Sequence, residues 1–316
     1  MANSTQQRRD PNRPVLPFMR WRHLAAAVSL LLVVGSLVGL AFKGLAFGLD
    51  FTGGTQIEVV YQQAEPLDSI RHTLVQAGYD KAVVVYFGSE RDVLVRLPQG
   101  FSDQAGAALV DILREASGHP VSLQRIEFVG PQVGEELREQ GGLALLMALG
   151  GILIYVSLRF QFKFSVSAVA ALIHDVIITL GVFAWGQLDF DLTVMAAVLA
   201  VIGYSINDTI VVFDRIRENF RKLRAHSPEE IIDISLTETL GRTIATSFTV
   251  ILVLLALFFL GGEMIHNFAT ALIVGTVVGT YSSIYIAANI ALMMGISRED
   301  LVLPPRQTEV IDDGRP

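Results

Sequence analysis

The chain has 316 residues, of which 52% are hydrophobic and 17% are charged, and its formal net charge is −7 at pH 7. Soluble domains have about 25% charged residues, so this composition excludes an ordinary globular protein and predicts a polytopic membrane protein with one soluble insertion. The chain has no cysteine, which excludes disulfides, a cysteine nucleophile and thiolate-bound metals. The negative charge argues against a nucleic-acid partner.

Six apolar runs are long enough to cross a hydrocarbon core, which takes about 20 residues of helix. They are 24–42, 142–158, 165–185, 192–213, 243–260 and 268–296. The first is long for a signal peptide and no cleavage site follows it, so we expect it to be retained. The last is too long for one straight span and is predicted to tilt or to project beyond the membrane. The chain is thereby divided into an N-terminal tail (1–23), a first span (24–42), a soluble domain (43–141), a five-span region (142–296) and a C-terminal tail (297–316).

The distribution of basic residues predicts the orientation of the spans. Sixteen of the 24 Lys and Arg residues lie in the two tails and in the segments after the second and fourth spans. The loops 186–191 and 261–267 contain none. Because basic residues favour the cytoplasmic side, both termini are predicted to be cytoplasmic and 43–141 to lie outside.

The soluble insertion alternates between strand and helix patterns. Strands are predicted at 54–61, 82–87, 92–97 and 121–129, with a turn at 88–91. Helices are predicted at 67–77 and from a cap at Ser102 to 116. The order β-α-β-β-α-β predicts a ferredoxin-like α+β domain. That fold has many functions and does not indicate one.

Glycine-bearing segments join this domain to the membrane on both sides. Gly48, Gly53 and Gly54 lie at the exit of the first span, and Gly130 and Pro131 lie on the return side. One interpretation is a tight entry into a strand, where glycine supplies a positive φ. The other is a pair of hinges on which the domain moves relative to the membrane.

Ionisable residues inside spans cost about 2.5–3.5 kcal/mol each, so they indicate function. His174 and Asp175 lie in the third span, about 15 Å below its start and near the midplane. The fourth span has a polar cluster, consisting of Tyr204, Ser205, Asn207 and Asp208. The spacing of this cluster predicts that Tyr204 and Ser205 share a helix face with Asp208.

Two interpretations apply to these polar residues. A buried carboxylate without a permanent counter-charge favours its neutral form, so Asp208 can load and release a proton. Alternatively, such groups connect helices by hydrogen bonds, which is our interpretation of Asn207. For Asp175 both interpretations stay open.

Arg242 is predicted to be the partner of Asp208. It begins the fifth span just after a helix break at Gly241, and its side chain is long enough to reach inward. The alternative is an anchoring role at the cytoplasmic face. Before this break, a capping box at 227–230 predicts an interfacial helix near 228–240.

The sixth span has a small residue at every fourth position. The row includes Ala271, Gly275, Gly279, Ser283 and Ala287. Such a row permits close approach of another helix, either in this chain or in a partner.

Six motifs resemble the SecF family of protein-export membrane proteins. They are GLDFTGG at 48–54, VGPQVG at 129–134, AALIHD at 170–175, IGYSINDTIVVFDRIREN at 202–219, TLGRT at 239–243 and GTYSSIY at 279–285. The fourth-span motif is highly specific, and the resemblance covers 20–298. Gly241 stands where members are expected to have a polar residue, a departure that leaves the expected chemistry unchanged.

The resemblance implies a bacterial inner-membrane subunit that is not an enzyme and has no cofactor. It implies six spans paired with six from SecD in a twelve-span, RND-like assembly, which assists preprotein export beside SecYEG, SecA and YajC using the proton-motive force. It also implies that Asp208 and Arg242 conduct protons, with Na⁺ left open as the coupling ion. Three rival functions are an RND-type efflux half-transporter, a non-conducting assembly subunit and an intramembrane protease with Asp175 and Asp208 as its dyad.

Overall fold

The computed structural model describes residues 14–98, 103–223 and 225–297. A 3₁₀ turn (Phe18–Trp21) precedes the first helix. The elements up to the end of the soluble domain are α1 (Arg22–Phe42), β1 (Ala46–Phe47), α2 (Leu49–Thr52), β2 (Gly54–Tyr61), α3 (Leu67–Gln76), β3 (Val83–Phe87), β4 (Ser89–Leu97), α4 (Asp103–Ser117) and β5 (Val121–Val129). The remaining elements are α5 (Pro131–Arg159), α6 (Phe162–Gly186), β6 (Asp189–Phe190), α7 (Leu192–Lys222), α8 (Pro228–Leu260), α9 (Glu263–Ser282), a π-helical turn (Ser283–Ala287) and α10 (Ala288–Met293).

Six helices in the described ranges are long and apolar enough to cross a membrane, in agreement with the sequence prediction. They are α1, α5, α6, α7, α8 and the continuous helix from α9 to α10. Most are longer than the apolar runs. Pro131 fixes the first turn of α5, and the polar helix formers that follow extend this helix eleven residues ahead of the predicted span.

The fourth and fifth spans also differ from their predicted bounds. α7 continues past 213 to Lys222, because Ile216 and Phe220 are buried on one face while Glu218 pairs with Lys222 on the other. The predicted interfacial helix near 228–240 is not separate: it forms the first turns of α8, which runs through 241 without a break. A single glycine costs a helix only about 1 kcal/mol, so packing overrides it.

The predicted capping box at the start of α8 is confirmed. The Ser227 hydroxyl accepts a hydrogen bond from the Glu230 amide at 3.3 Å, and Glu230 Oε2 accepts one from the Ser227 amide at 3.0 Å. These bonds satisfy two amides that the helix itself leaves free.

The soluble domain has the strand order β3-β4-β2-β5, with every neighbouring pair antiparallel. This is the order of the predicted ferredoxin-like arrangement. Its core is formed by β2, β4, α3 and α4, and includes Ile57, Val95, Leu74 and Leu109. β4 begins at Ser89, earlier than predicted, because Gly88 at φ +90° closes a tight turn. Ser102, predicted to cap α4, lies outside the described residues.

The membrane helices are unequally buried. More than half of the apolar windows of α6 and α7 is buried, whereas less than a quarter is buried in α1, α5 and α8. α6, α7 and α9 therefore form the centre of the bundle, and apolar faces of α1, α5 and α8 lie on its outside.

The row of small residues on α9 faces α7. A Cβ added to Gly275 would lie 2.1 Å from Val201 Cγ2, and one added to Gly279 would lie 3.1 Å from Ser205 Cβ. Ala271, Ser283 and Ala287 are also buried. The row lets α9 approach α7 closely, within one chain.

Candidate functional site

Asp175 on α6 lies at the centre of the bundle and has no solvent exposure. Its Oδ2 accepts hydrogen bonds from the hydroxyls of Ser205 on α7, at 2.5 Å, and Ser282 on α9, at 2.7 Å. Its Oδ1 lies 2.9 Å from His174 Nδ1. The carboxylate therefore connects the three central helices, and both of its oxygens have partners.

His174 extends this network toward α1. Its ring stacks on Tyr281, with centroids 6.4 Å apart, and its Nε2 is buried without a partner among the described residues. The Tyr281 hydroxyl donates to the Ala25 carbonyl at 2.8 Å and accepts from Ser29 at 3.0 Å. The π-helical turn begins directly after Ser282, and such turns inside α-helices are frequent at functional sites.

Asp208 on α7 is 5% exposed and has a different environment. Its Oδ1 accepts one long hydrogen bond, 3.5 Å, from the Thr243 hydroxyl on α8. Its Oδ2 is buried with no partner in the part of the chain that the structure describes, and the same is true of the neighbouring Thr209 hydroxyl. A buried carboxylate with an open oxygen is costly unless it takes up a proton.

Arg242 lies one residue before Thr243, on the outward side of α8. Its positive charge acts on the Asp208 carboxylate, but the two side chains do not form an ion pair in the described structure. Arg242 therefore lies near Asp208 without neutralising it by contact.

The other polar residues of the fourth span point in three directions. Ser205 bonds to Asp175 and not to the face of Asp208. The Tyr204 hydroxyl donates to Ser247 at 2.9 Å, and Ser247 lies 2.7 Å from the Thr280 hydroxyl. Asn207 is exposed on the outside of the bundle, so it does not connect helices within this chain. Tyr204 and Asp208 thus share the face toward α8, as predicted, whereas Ser205 faces α6.

Asp175 and Asp208 do not form a catalytic pair. Each accepts hydrogen bonds from a different set of helices, and none joins them in the described structure. An aspartyl dyad needs two carboxylates that share a proton, so the protease interpretation lacks its geometry. The described residues also contain no group of three or more His, Asp or Glu side chains able to hold a metal ion.

Four hydroxyl residues of this site were missing from the sequence prediction: Thr243, Ser247, Thr280 and Ser282. A signal for two of them exists. Thr239, Thr243 and Ser247 recur at every fourth position of α8, which places three hydroxyls on one buried face.

Of the glycines at the domain boundary, Gly48 and Gly54 are closely packed, whereas nothing lies within 4 Å of a Cβ added to Gly130. Gly48 caps α2, Gly53 and Gly54 have φ of +66° and +129°, and Gly130 caps α5, in which Pro131 is the first residue. A Cβ at Gly54 would lie 2.4 Å from the Leu97 carbonyl oxygen. The tight strand entry is thus present, and hinge motion stays a prediction.

Two family descriptions match this chain. "Protein export membrane protein SecD/SecF, C-terminal" matches residues 109–297, and "SecD/SecF GG Motif" matches residues 38–65. The first includes both buried carboxylates and Arg242. The second includes the glycine-bearing segment that leads from α1 into β2.

Relatives that match over nearly their whole length share one name. "Protein translocase subunit SecF" of Pseudomonas aeruginosa is 52% identical over 297 residues, which is 94% of this chain and 96% of the relative. The protein of that name from Escherichia coli O157:H7 is 41% identical and covers 98% of this chain and 97% of the relative.

A solved structure shows the same fold. The crystal structure of SecDF, a translocon-associated membrane protein from Thermus thermophilus, matches with a TM-score of 0.82 and 38% identity. The match covers 89% of this chain and 39% of the SecDF chain. The chain therefore spans well under half the length of that SecDF protein.

Proposed function

Because the chain belongs to the SecF family of protein-export membrane proteins, we propose that it couples proton passage at Asp208 to the export of preproteins. Its relatives are subunits of the protein translocase, and protein transport is the function of the family. The observation that carries the proton proposal is the buried Oδ2 of Asp208, which has no hydrogen-bond partner among the described residues.

The coupling uses two states of Asp208. When the carboxylate is ionised, Arg242 is attracted toward it; when it is protonated, this attraction is lost and the side chain returns to the outside of α8. One proton that crosses about 150 mV supplies roughly 3.5 kcal/mol. Differential protonation of this size shifts a two-state equilibrium about 300-fold. That suffices to alternate two packings of α7 against α8.

A second membrane chain completes the site. Asn207 and Arg242 lie exposed in spanning helices, and polar groups there are costly against lipid. A partner with polar or acidic side chains at this depth would cover them. SecD is the proposed partner, in a twelve-span, RND-like assembly. This chain matches 39% of the SecDF chain, so the larger, unmatched part of SecDF is long enough to contain such a partner.

The orientation follows from the basic residues. Both termini are placed in the cytoplasm, the βαββαβ domain in the periplasm and the spans in the bacterial inner membrane. There the domain meets preprotein that leaves the SecYEG channel and opposes its return, while SecA drives it from the cytoplasm and YajC assembles with the complex. No cofactor is involved; the coupling ion is H⁺, with Na⁺ as the alternative.

The test is a pulse-chase of a secreted precursor in cells depleted of their own SecF. The variant is Asp208→Asn, which keeps the shape of the side chain but removes its ability to carry a proton. Glu218→Gln is the matched control, since Glu218 lies on the same helix and pairs with Arg215 and Lys222 at its surface. At equal membrane levels we expect the wild type and the control to restore precursor maturation and Asp208→Asn to fail. Normal maturation with Asp208→Asn would contradict the proposal.

A further inference from the structure

The segment from Ala46 to Gly54 is bound to the start of α7. β1 pairs in parallel with β6, and the Gly48 amide donates to the Phe190 carbonyl at 2.8 Å. The rings of Phe47, Phe51 and Phe190 surround this pair, with centroids 5.9–6.2 Å apart. The exit of α1 and the entry of α7 thus form one packed unit.

Asp50 adds a bond to α7 itself. Its Oδ2 accepts a hydrogen bond at 3.0 Å from the amide of Leu192, the first residue of α7. Asp191 Oδ1 accepts from the Val194 amide at 2.8 Å. Helix amides in the first turn lack partners within the helix, and negative charge is favourable there. α7 therefore has two acidic caps, one of which comes from a segment 142 residues away.

The same segment continues directly into the soluble domain. α2 is followed by β2 after Gly53 alone, and a Cβ at Gly134 of α5 would lie 3.0 Å from the Gly53 amide nitrogen. A second connection is the ion pair of Arg96 on β4 with Asp189 on β6, whose two N···O distances are 2.8 and 3.2 Å. The domain is therefore held to the start of α7 at two points.

We propose that Asp50 is a positioning residue that makes 46–54 a fixed joint, through which movement of α7 is delivered to the βαββαβ domain. The inference rests on the proposed function, in which α7 responds to protonation at Asp208. α7 is continuous from Leu192 to Lys222, so Asp208 lies about 24 Å along one rigid helix from its capped end. A hinge at Gly48, Gly53 and Gly54 is the opposing mechanism, since a hinge would absorb this movement.

The first test locks the joint with a disulfide. Phe47 and Phe190 are directly paired in β1 and β6, and the chain has no cysteine of its own. The double variant Phe47→Cys with Phe190→Cys is oxidised, and precursor export is compared before and after reduction, with each single variant as control. A fixed joint predicts equal export in both states. Loss of export in the locked state, with recovery on reduction, would show that β1 has to separate from β6 during export and would overturn the inference. This readout does not depend on the result for Asp208→Asn, so the two proposals fail separately.

The second test separates positioning from folding. Asp50→Ala removes the cap, Asp50→Asn keeps an acceptor oxygen, and Asp68→Ala is the matched control at the exposed start of α3. Loss of a helix cap changes an equilibrium by roughly fivefold. At equal membrane levels we expect export to fall by about that factor in Asp50→Ala, with proton flux retained, and Asp50→Asn to restore part of it. Normal export in Asp50→Ala, or an equal loss of export and flux, would overturn the inference.

Discussion

Ser205 and Asp208 lie three residues apart on α7, yet their side chains bond to different helices. Ser205 donates to Asp175 on α6, and Asp208 accepts from Thr243 on α8. One carboxylate of the bundle is thus fully bonded, while the other has an open oxygen. From this difference we propose that Asp175 holds the helices together and that Asp208 is the group that changes its state.

Removal of the Asp175 carboxylate is expected to destabilise the bundle. Asp175→Ala removes the partner of the buried Ser205 hydroxyl and of His174 Nδ1, at about 1–3 kcal/mol for each group, while the Ser282 hydroxyl keeps the Gly279 carbonyl at 3.1 Å as an acceptor. Ser282→Ala removes one donor and is expected to cost less. Thermal unfolding in detergent should rank the wild type above Ser282→Ala and Ser282→Ala above Asp175→Ala. Equal unfolding temperatures for all three proteins would show that the hydrogen bonds of Asp175 do not stabilise the bundle.

The contact between α7 and α9 predicts a size limit at Gly275. A side chain there meets Val201 at 2.1 Å, so Gly275→Val is expected to cost about 1–3 kcal/mol through overpacking. Gly203→Ala is the control, because nothing lies within 4 Å of its added carbon. Val201→Ala in the same chain should recover part of the loss. Chemical unfolding of the wild type and these three variants measures this coupling, and an unchanged midpoint in Gly275→Val would refute the close contact.

Glu58 predicts a pH dependence in the soluble domain. Burial raises the pKa of Glu58 above its ordinary value of 4.5, an effect that Arg125 partly offsets and Glu127 strengthens. A raised pKa in the folded state means that the protonated form is favoured there, so stability is lost as the pH rises through that pKa. Glu58→Gln should therefore stabilise the domain at pH 7 and have no effect below pH ~4. Hydrogen exchange of β2 amides at the two pH values checks this; equal protection at pH 7 would contradict it.

The pattern of the sequence predicted the six spans and the order of the sheet, because both depend on hydropathy period and turn residues. It did not predict that α8 continues through 241. The burial of Ile232 and Leu236 against the bundle stabilises this helix, and local helix propensity does not show that burial. Asp175 and Asp208 were identified because an ionisable side chain within a spanning helix has a high free-energy cost. The spacing of the hydroxyls on α8 could place Thr243 on a buried face, but Ser282 and Thr243 come from helices distant in sequence, so no local spacing could pair either of them with its carboxylate.

Proton flux through Asp208 can be measured in membrane vesicles. Vesicles from cells that contain the wild-type chain, Asp208→Asn or Glu218→Gln would hold a pH indicator, and a pH gradient would be imposed while precursor is being exported. We expect equal flux for the wild type and Glu218→Gln, and only the background rate for Asp208→Asn. Flux at the wild-type rate in Asp208→Asn would contradict this expectation.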